Sequence, residues 1–207
     1  MPKAVRFDAT CILHRLRILS DPPLGGIVLL AVIVYCNPRI ADLLVFDRKA
    51  ILNGEFWRLA TSPMMHFSAS HLFWDALVFA VAGVAVQASG FRGLWLVCIL
   101  ATIIPGLVFL LSFPELERYG GLSGWATGAV TYCFLCSMYN PKNNRLLWLA
   151  ILAGMGSKIF IETATGTPLF AQVAIIPFRV LPSVHLVGFL GAIVTMLWLR
   201  SKTCKPL

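Results

Sequence analysis

Two short stretches hold residue types that could break an acyl bond. One is a glycine-flanked serine, Gly120-Gly121-Leu122-Ser123-Gly124-Trp125-Ala126-Thr127-Gly128, and the other is His185 at the head of a separate apolar run. A serine hydroxyl attacks a carbonyl when an adjacent imidazole takes its proton. Glycines ahead of a helix start leave backbone N–H groups free to face a developing oxyanion, and the helix dipole adds positive potential there. Gly124 and Gly128 form a small-xxx-small ridge, while His185, Gly188 and Ala192 share one helical face, with Gly191 in the same run. Such faces let two backbones approach closely enough for a serine to reach a histidine on another helix. Each feature alone also has a plainer reading: a glycine-flanked serine packs helices, and a histidine at a helix end is structural or interfacial. Their coincidence argues for chemistry.

The elements that must position these groups are membrane helices. Of 207 residues, 58% are hydrophobic and 13% charged, and the mean hydropathy is +0.82, which leaves too few polar residues to cover a soluble core of this size. The net charge of +8 does not point to nucleic acid, because the basic residues are scattered between apolar runs rather than gathered on one face. The six cysteines imply no disulfide framework. Cys133-x-x-Cys136 falls inside an apolar helix with no strand before it, which favours packing over redox chemistry. No cluster of His, Cys and carboxylates has metal-ligand spacing, so neither metal nor organic cofactor is expected.

A span needs about 20 apolar residues, with about 17 to 25 tolerated, and six candidate runs emerge: Pro22–Cys36, Ala69–Ala88, Gly93–Phe113, Ser123–Tyr139, Leu146–Thr163 and Ser183–Leu199, the first of them short for a span and expected to be tilted or extended by flanking residues. The expected organisation is a basic cytoplasmic segment over 1–21, an all-α six-helix membrane domain over 22–199, and a basic cytoplasmic tail over 200–207. The first span is expected to be retained, since no convincing signal-cleavage site follows it. Lys and Arg fall ten to six in favour of the side holding both termini, which places those termini in the cytoplasm; Lys158 lies inside the fifth span. With that orientation the second, fourth and sixth spans start at the external face. At 1.5 Å of rise per residue, His71, Ser123 and His185 then share a shallow layer below the external surface. The stretch Arg39–Phe46 is amphipathic and suits the interface, with Trp57 as an anchor. The apolar, Pro-bearing segment from Ala164 to Pro182 suits a cap over a site.

Four features in this order resemble the rhomboid intramembrane serine proteases: Gly54-Glu55-Phe56-Trp57-Arg58, His66-Phe67-Ser68-Ala69-Ser70-His71, Gly121-Leu122-Ser123-Gly124, and His185-Leu186-Val187-Gly188-Phe189-Leu190-Gly191. The resemblance covers the chain from Asp47 to about Ala192. It implies a six-helix rhomboid-like bundle in a bacterial inner membrane and a Ser123–His185 dyad without a third acid. It also implies an oxyanion site built from the Ser123 N–H and His71, supported by Asp75, Gly121 and Leu122. The substrates it implies are transmembrane proteins entering sideways from lipid. Phe46–Ile51 leading into Gly54–Arg58, the compact length, and Lys158 with Glu162 resemble the rhombosortase branch, whose substrates carry a C-terminal Gly-Gly, apolar-helix and basic-cluster tail.

The chain departs from the family's pattern at Asp75, where Asn is usual, and at Thr127, where an aromatic often stacks beneath the histidine; neither residue is expected to touch the dyad. Asp75 is expected to pair with His71 one turn above it, the alternatives being protonation in its low-dielectric site or a bond to a neighbouring helix. Lys158 and Glu162, spaced i, i+4, are expected to satisfy each other, the alternatives being a Ser123–Lys158 dyad or a contact to the substrate's tail. His66 is expected to organise its loop, and Arg58 to tie down the first loop or meet lipid phosphate. Two other classes remain: an inactive rhomboid-like binder of transmembrane clients, which would be expected to lack the serine or histidine, and a small transporter, which would be expected to have midplane polar groups and an inverted repeat.

Overall fold

The computed structural model describes residues 23–138, 144–165 and 181–203. The basic segment 1–21, most of the segment from Ala164 to Pro182, and the end of the tail lie outside the described residues.

Six helices occupy the six apolar runs. They are α1 (Leu24–Cys36), α5 (Ala69–Ala88), α6 (Leu94–Ser112), α7 (Ser123–Ser137), α8 (Arg145–Thr165) and α9 (Pro182–Thr203). Between α1 and α5 run α2 (Pro38–Leu44), β1 (Phe46–Asp47), α3 (Arg48–Leu52), α4 (Arg58–Thr61) and a 3-10 turn over Ser62–Met64. Four of the six, α5, α6, α8 and α9, are long and apolar enough to cross a bilayer. Helix α1, at 13 residues, reaches that length only together with α2, from which it is bent by 113°. The bend has a local cause: Asn37 caps α2 through its side chain while Pro38 opens it, so the chain restarts in a new direction. The amphipathic stretch from Arg39 is therefore a separate short helix lying across α1. The chain is an integral membrane protein of mostly helical structure.

Helix α7 is only 15 residues long, about 22 Å at the standard rise against a hydrocarbon core of about 30 Å. It is enclosed by α5, α6, α8 and α9, and 12 of its residues are buried. This explains a composition that mixes Gly, Ala, Ser, Thr and Cys with few long aliphatics: its surface meets protein, where small residues allow close approach, rather than lipid. Cys133 and Cys136 are both free and buried there, as the packing reading requires.

Among the described residues one element departs from an all-α fold. Residues Phe46–Asp47 (β1) pair antiparallel with Arg118–Tyr119 (β2), joining the segment between α1 and α5 to the chain entering α7. Around this clasp Phe46, Phe109 and Tyr119 pack edge to face. Arg118 bonds Asp42 at 2.7 Å and approaches Asp47 at 3.4 Å. Burial alone would raise the Asp47 pKa, but the Ala50 N–H and the Arg118 charge outweigh it and hold the carboxyl below its usual range. Arg48 donates to the carbonyls of Phe109 and Leu110, capping the C-terminal end of α6 with positive charge. Buried Arg58 donates to Glu55 at 2.7 Å and to the carbonyls of Asp42 and Val45 at 2.5 and 3.1 Å. Of the two roles open to it, Arg58 thus ties down the loop. Trp57 stays half exposed, its indole N–H held by Leu43 O at 3.1 Å, as an interfacial anchor would be.

Candidate active site

The turn entering α7 is fixed from three sides. A Cβ on Gly120 would come within 3.0 Å of Met65 O and 3.1 Å of Ser62 O, so only glycine lets this strand lie against the 3-10 turn. Gly121 has φ +128°, and a Cβ there would stand 2.8 Å from His71 Cε1 and 2.9 Å from Nε2. Its N–H donates to Ser62 O at 3.2 Å. Leu122 N–H donates to His66 Nε2 at 3.2 Å, and the other His66 nitrogen lies 3.3 Å from Met64 O. Those partners require a neutral His66 carrying its proton on Nδ1. Burial, the main cause, also holds its pKa below the ordinary value. His66 is therefore the loop organiser expected of it, and it acts on the residue immediately before Ser123.

Ser123 is the first residue of α7. Within residues 119–133 it alone is partly exposed, while its neighbours along the chain are buried. His71 comes to the same turn from the first coil of α5, which Ser68 caps by accepting the His71 N–H at 3.2 Å. His71 Nε2 lies 3.2 Å from Asp75 Oδ2, so the expected contact between these two residues is made. Asp75 Oδ2 is also 3.6 Å from His66 Nε2. Since that nitrogen already accepts the Leu122 N–H, His71 is the better partner for the carboxylate.

Helix α9 delivers His185 through glycine contacts. A Cβ on Gly188 would strike the Gly124 carbonyl, one on Gly124 would stand 2.8 Å from Val184 Cγ1, and one on Gly128 would stand 3.1 Å from Gly188 O. The α7 and α9 backbones thus touch along the small-residue ridge, while Gly191 faces Leu100 of α6, 3.3 Å from its would-be Cβ. His185 is buried. Its Nδ1 lies 2.9 Å from Thr127 Oγ1, and that same hydroxyl donates to Ser123 O at 2.9 Å. Here the structure corrects the sequence reading, which kept Thr127 away from the dyad: one turn along α7 from Ser123, its side chain binds the His185 ring directly. The resemblance already related the Thr127 position to the histidine, as the place of a stacking aromatic, but it did not show that the hydroxyl there bonds the ring.

Lys158 Nζ meets Glu162 Oε2 at 2.6 Å, with the Glu162 side chain 1% exposed and that of Lys158 29% exposed. The mutually satisfied pair is therefore what α8 carries. Among the described residues no three His, Cys, Asp or Glu side chains are grouped to hold a metal ion.

Comparison with known proteins bears on this arrangement. The sequence matches the Rhomboid domain family over residues 53–202. It is also similar to Rhomboid protease GluP of Bacillus subtilis (strain 168), at 29% identity over 103 residues, a stretch covering 50% of this chain and 19% of that relative. The matched region is thus a minor part of the relative's length, and it contributes half of the present chain.

Proposed function

Because the chain belongs to the rhomboid family, we propose that it is an intramembrane serine endopeptidase in which Ser123 is the nucleophile and His185 its base. The observation that carries this reading is the bridge through Thr127, which links the backbone of the accessible Ser123 to the ring of a histidine on another helix. Ser123 Oγ attacks the scissile carbonyl as His185 Nε2 takes its proton. The Ser123 N–H and the His71 side chain stabilise the oxyanion, a donor of this kind being worth roughly 3 to 4 kcal/mol. His185 then protonates the leaving amine, and water hydrolyses the acyl-enzyme by the same steps in reverse roles. Hydrocarbon excludes water, so the site has to be wetted from the external face. The short, protein-enclosed α7 suits that need, because its Ser123 end does not have to reach the headgroups.

The family reading carries with it six spans with both termini cytoplasmic, a bacterial inner membrane, and transmembrane proteins as substrates. Within it the rhombosortase-like features around Phe46–Arg58 and the Lys158–Glu162 pair favour substrates with a C-terminal Gly-Gly, apolar-helix and basic-cluster tail. The test is cleavage in liposomes of two reporters, one bearing such a tail and one with an unrelated transmembrane segment. Cutting of the first at the Gly-Gly side supports the full reading. Cutting only of the second supports a rhomboid protease of different substrate class. Cutting of neither by wild type argues against proteolysis.

A further inference from the structure

We infer that Thr127 is the positioning residue that selects the reactive tautomer of His185, an inference that rests on the dyad proposed above. A threonine hydroxyl has one proton and two lone pairs. The proton is committed to Ser123 O, one turn back on the same helix, at 2.9 Å. What the oxygen presents to His185 Nδ1, also at 2.9 Å, is therefore a lone pair, and the nitrogen facing it carries hydrogen. Nδ1–H leaves Nε2 bare, and a bare nitrogen is what a base needs in order to take the Ser123 proton. In the opposite tautomer the ring would have no proton-accepting nitrogen to offer Ser123.

Thr127 does two further things by geometry. Its oxygen ties the ring to the turn that carries the nucleophile, so the relative placement of the two groups is set within α7 rather than by α9 alone. It also supplies the acceptor without charge. A carboxylate in this place, buried between apolar helices, would carry a desolvation cost that the hydroxyl avoids. The buried faces of Gly124, Gly128 and Gly188 hold the two helices close enough for this short side chain to reach the ring.

The experiment compares wild type, Thr127→Val, Thr127→Ser and Ser123→Ala, each reconstituted as the full chain. It measures fluorophosphonate labelling rates, kcat and KM on a transmembrane reporter, and the 15N NMR signals of histidine, with His185 assigned from the His185→Asn spectrum. Thr127→Val keeps the shape and removes the hydroxyl. It should slow labelling and lower kcat about tenfold, the size of one net hydrogen bond, with KM unchanged, and Thr127→Ser should recover to within about threefold. The wild-type spectrum should show hydrogen on Nδ1 and none on Nε2 of His185, and this reading stands even if Thr127→Val fails to fold. The inference is overturned if Thr127→Val labels at the wild-type rate, if Thr127→Ser is as impaired as Thr127→Val, or if wild-type His185 carries its proton on Nε2. Wild type that labels no faster than Ser123→Ala would instead defeat the dyad itself, and the NMR result would still decide the tautomer.

Discussion

The contact between Gly121 and His71 can be weighed against an internal control. Gly54 and Gly121 both hold left-handed backbone, with φ +103° and +128°, but a Cβ on Gly54 would meet nothing within 4 Å, whereas one on Gly121 would meet the His71 ring at 2.8 Å. Gly54→Ala therefore reports backbone strain alone, about 1 to 2 kcal/mol. Gly121→Ala carries the same strain plus an overpacking term of about 1 to 3 kcal/mol, because a ring held by the α5 backbone and by Asp75 cannot slide freely. The expected costs are thus about 1 to 2 and about 2 to 5 kcal/mol. Reversible unfolding in mixed micelles, followed by tryptophan fluorescence, measures both. Combining Gly121→Ala with His71→Ala removes the obstructing ring, so the double variant should be less destabilised than the sum of the singles, by about 1 kcal/mol or more. Equal costs for Gly54→Ala and Gly121→Ala, together with additive behaviour in the double variant, would refute the close packing of His71 on the turn.

Other perturbations separate roles around the same site. Asp75→Asn should keep cleavage within about tenfold of wild type, Asp75→Ala should cost more, and His71→Ala should cost most, on the order of 10² to 10³ in rate. Initial rates in one liposome preparation test the order, and Asp75→Ala matching wild type would remove the orienting role assigned to Asp75. Lys158→Met should lower stability by removing the charge that meets the buried Glu162 carboxylate at 2.6 Å, yet retain substantial activity per folded molecule. Silencing as complete as that of Ser123→Ala would make Lys158 part of the chemistry instead. His66 makes a prediction about pH. Its folded pKa lies below the unfolded value of about 6.5, so the unfolded chain binds the extra proton, and stability must fall as pH drops below about 6.5. The slope from this group is at most about 1.4 kcal/mol per pH unit. His66→Gln, whose side-chain oxygen can still accept the Leu122 N–H, should flatten that slope between pH 7 and 5, and an unchanged slope would assign the effect to another group.

What the sequence disclosed, and what it did not, follows from the range of the interactions involved. Helix α5 runs from Ala69 to Ala88 as read from its apolar run, because its start is a local event: Ser68 caps it three residues before the His71 N–H it accepts. The start of α7 at Ser123 was legible for the same reason, since Gly120-Gly121 favours a break there, which the positive φ of Gly121 makes. The small-residue ridge was legible as a pattern, and Gly124, Gly128 and Gly188 are where α7 and α9 meet. Helix α1 ends at Cys36, where its apolar run was read to end, because Asn37-Pro38 opens a new helix, and α7 starts at Ser123 as its run does and is enclosed by protein. The pairing of β1 with β2, the capping of α6 by Arg48 and the bond from Thr127 to His185 join residues 58 or more positions apart. No periodicity or spacing in one sequence encodes such contacts.

The central claim is that Ser123 is a nucleophile activated by His185, and covalent capture tests it most directly. Wild-type protein in detergent or liposomes, treated with a fluorophosphonate and digested, should yield a single modified peptide with the adduct on Ser123. Ser123→Ala should give no adduct, and His185→Ala should label at a rate lower by about 10² or more. In cleavage of a transmembrane reporter the double variant should be no worse than Ser123→Ala alone, since the two residues act as one unit. An adduct on a different serine, or labelling of Ser123 at an undiminished rate in His185→Ala, would contradict the account.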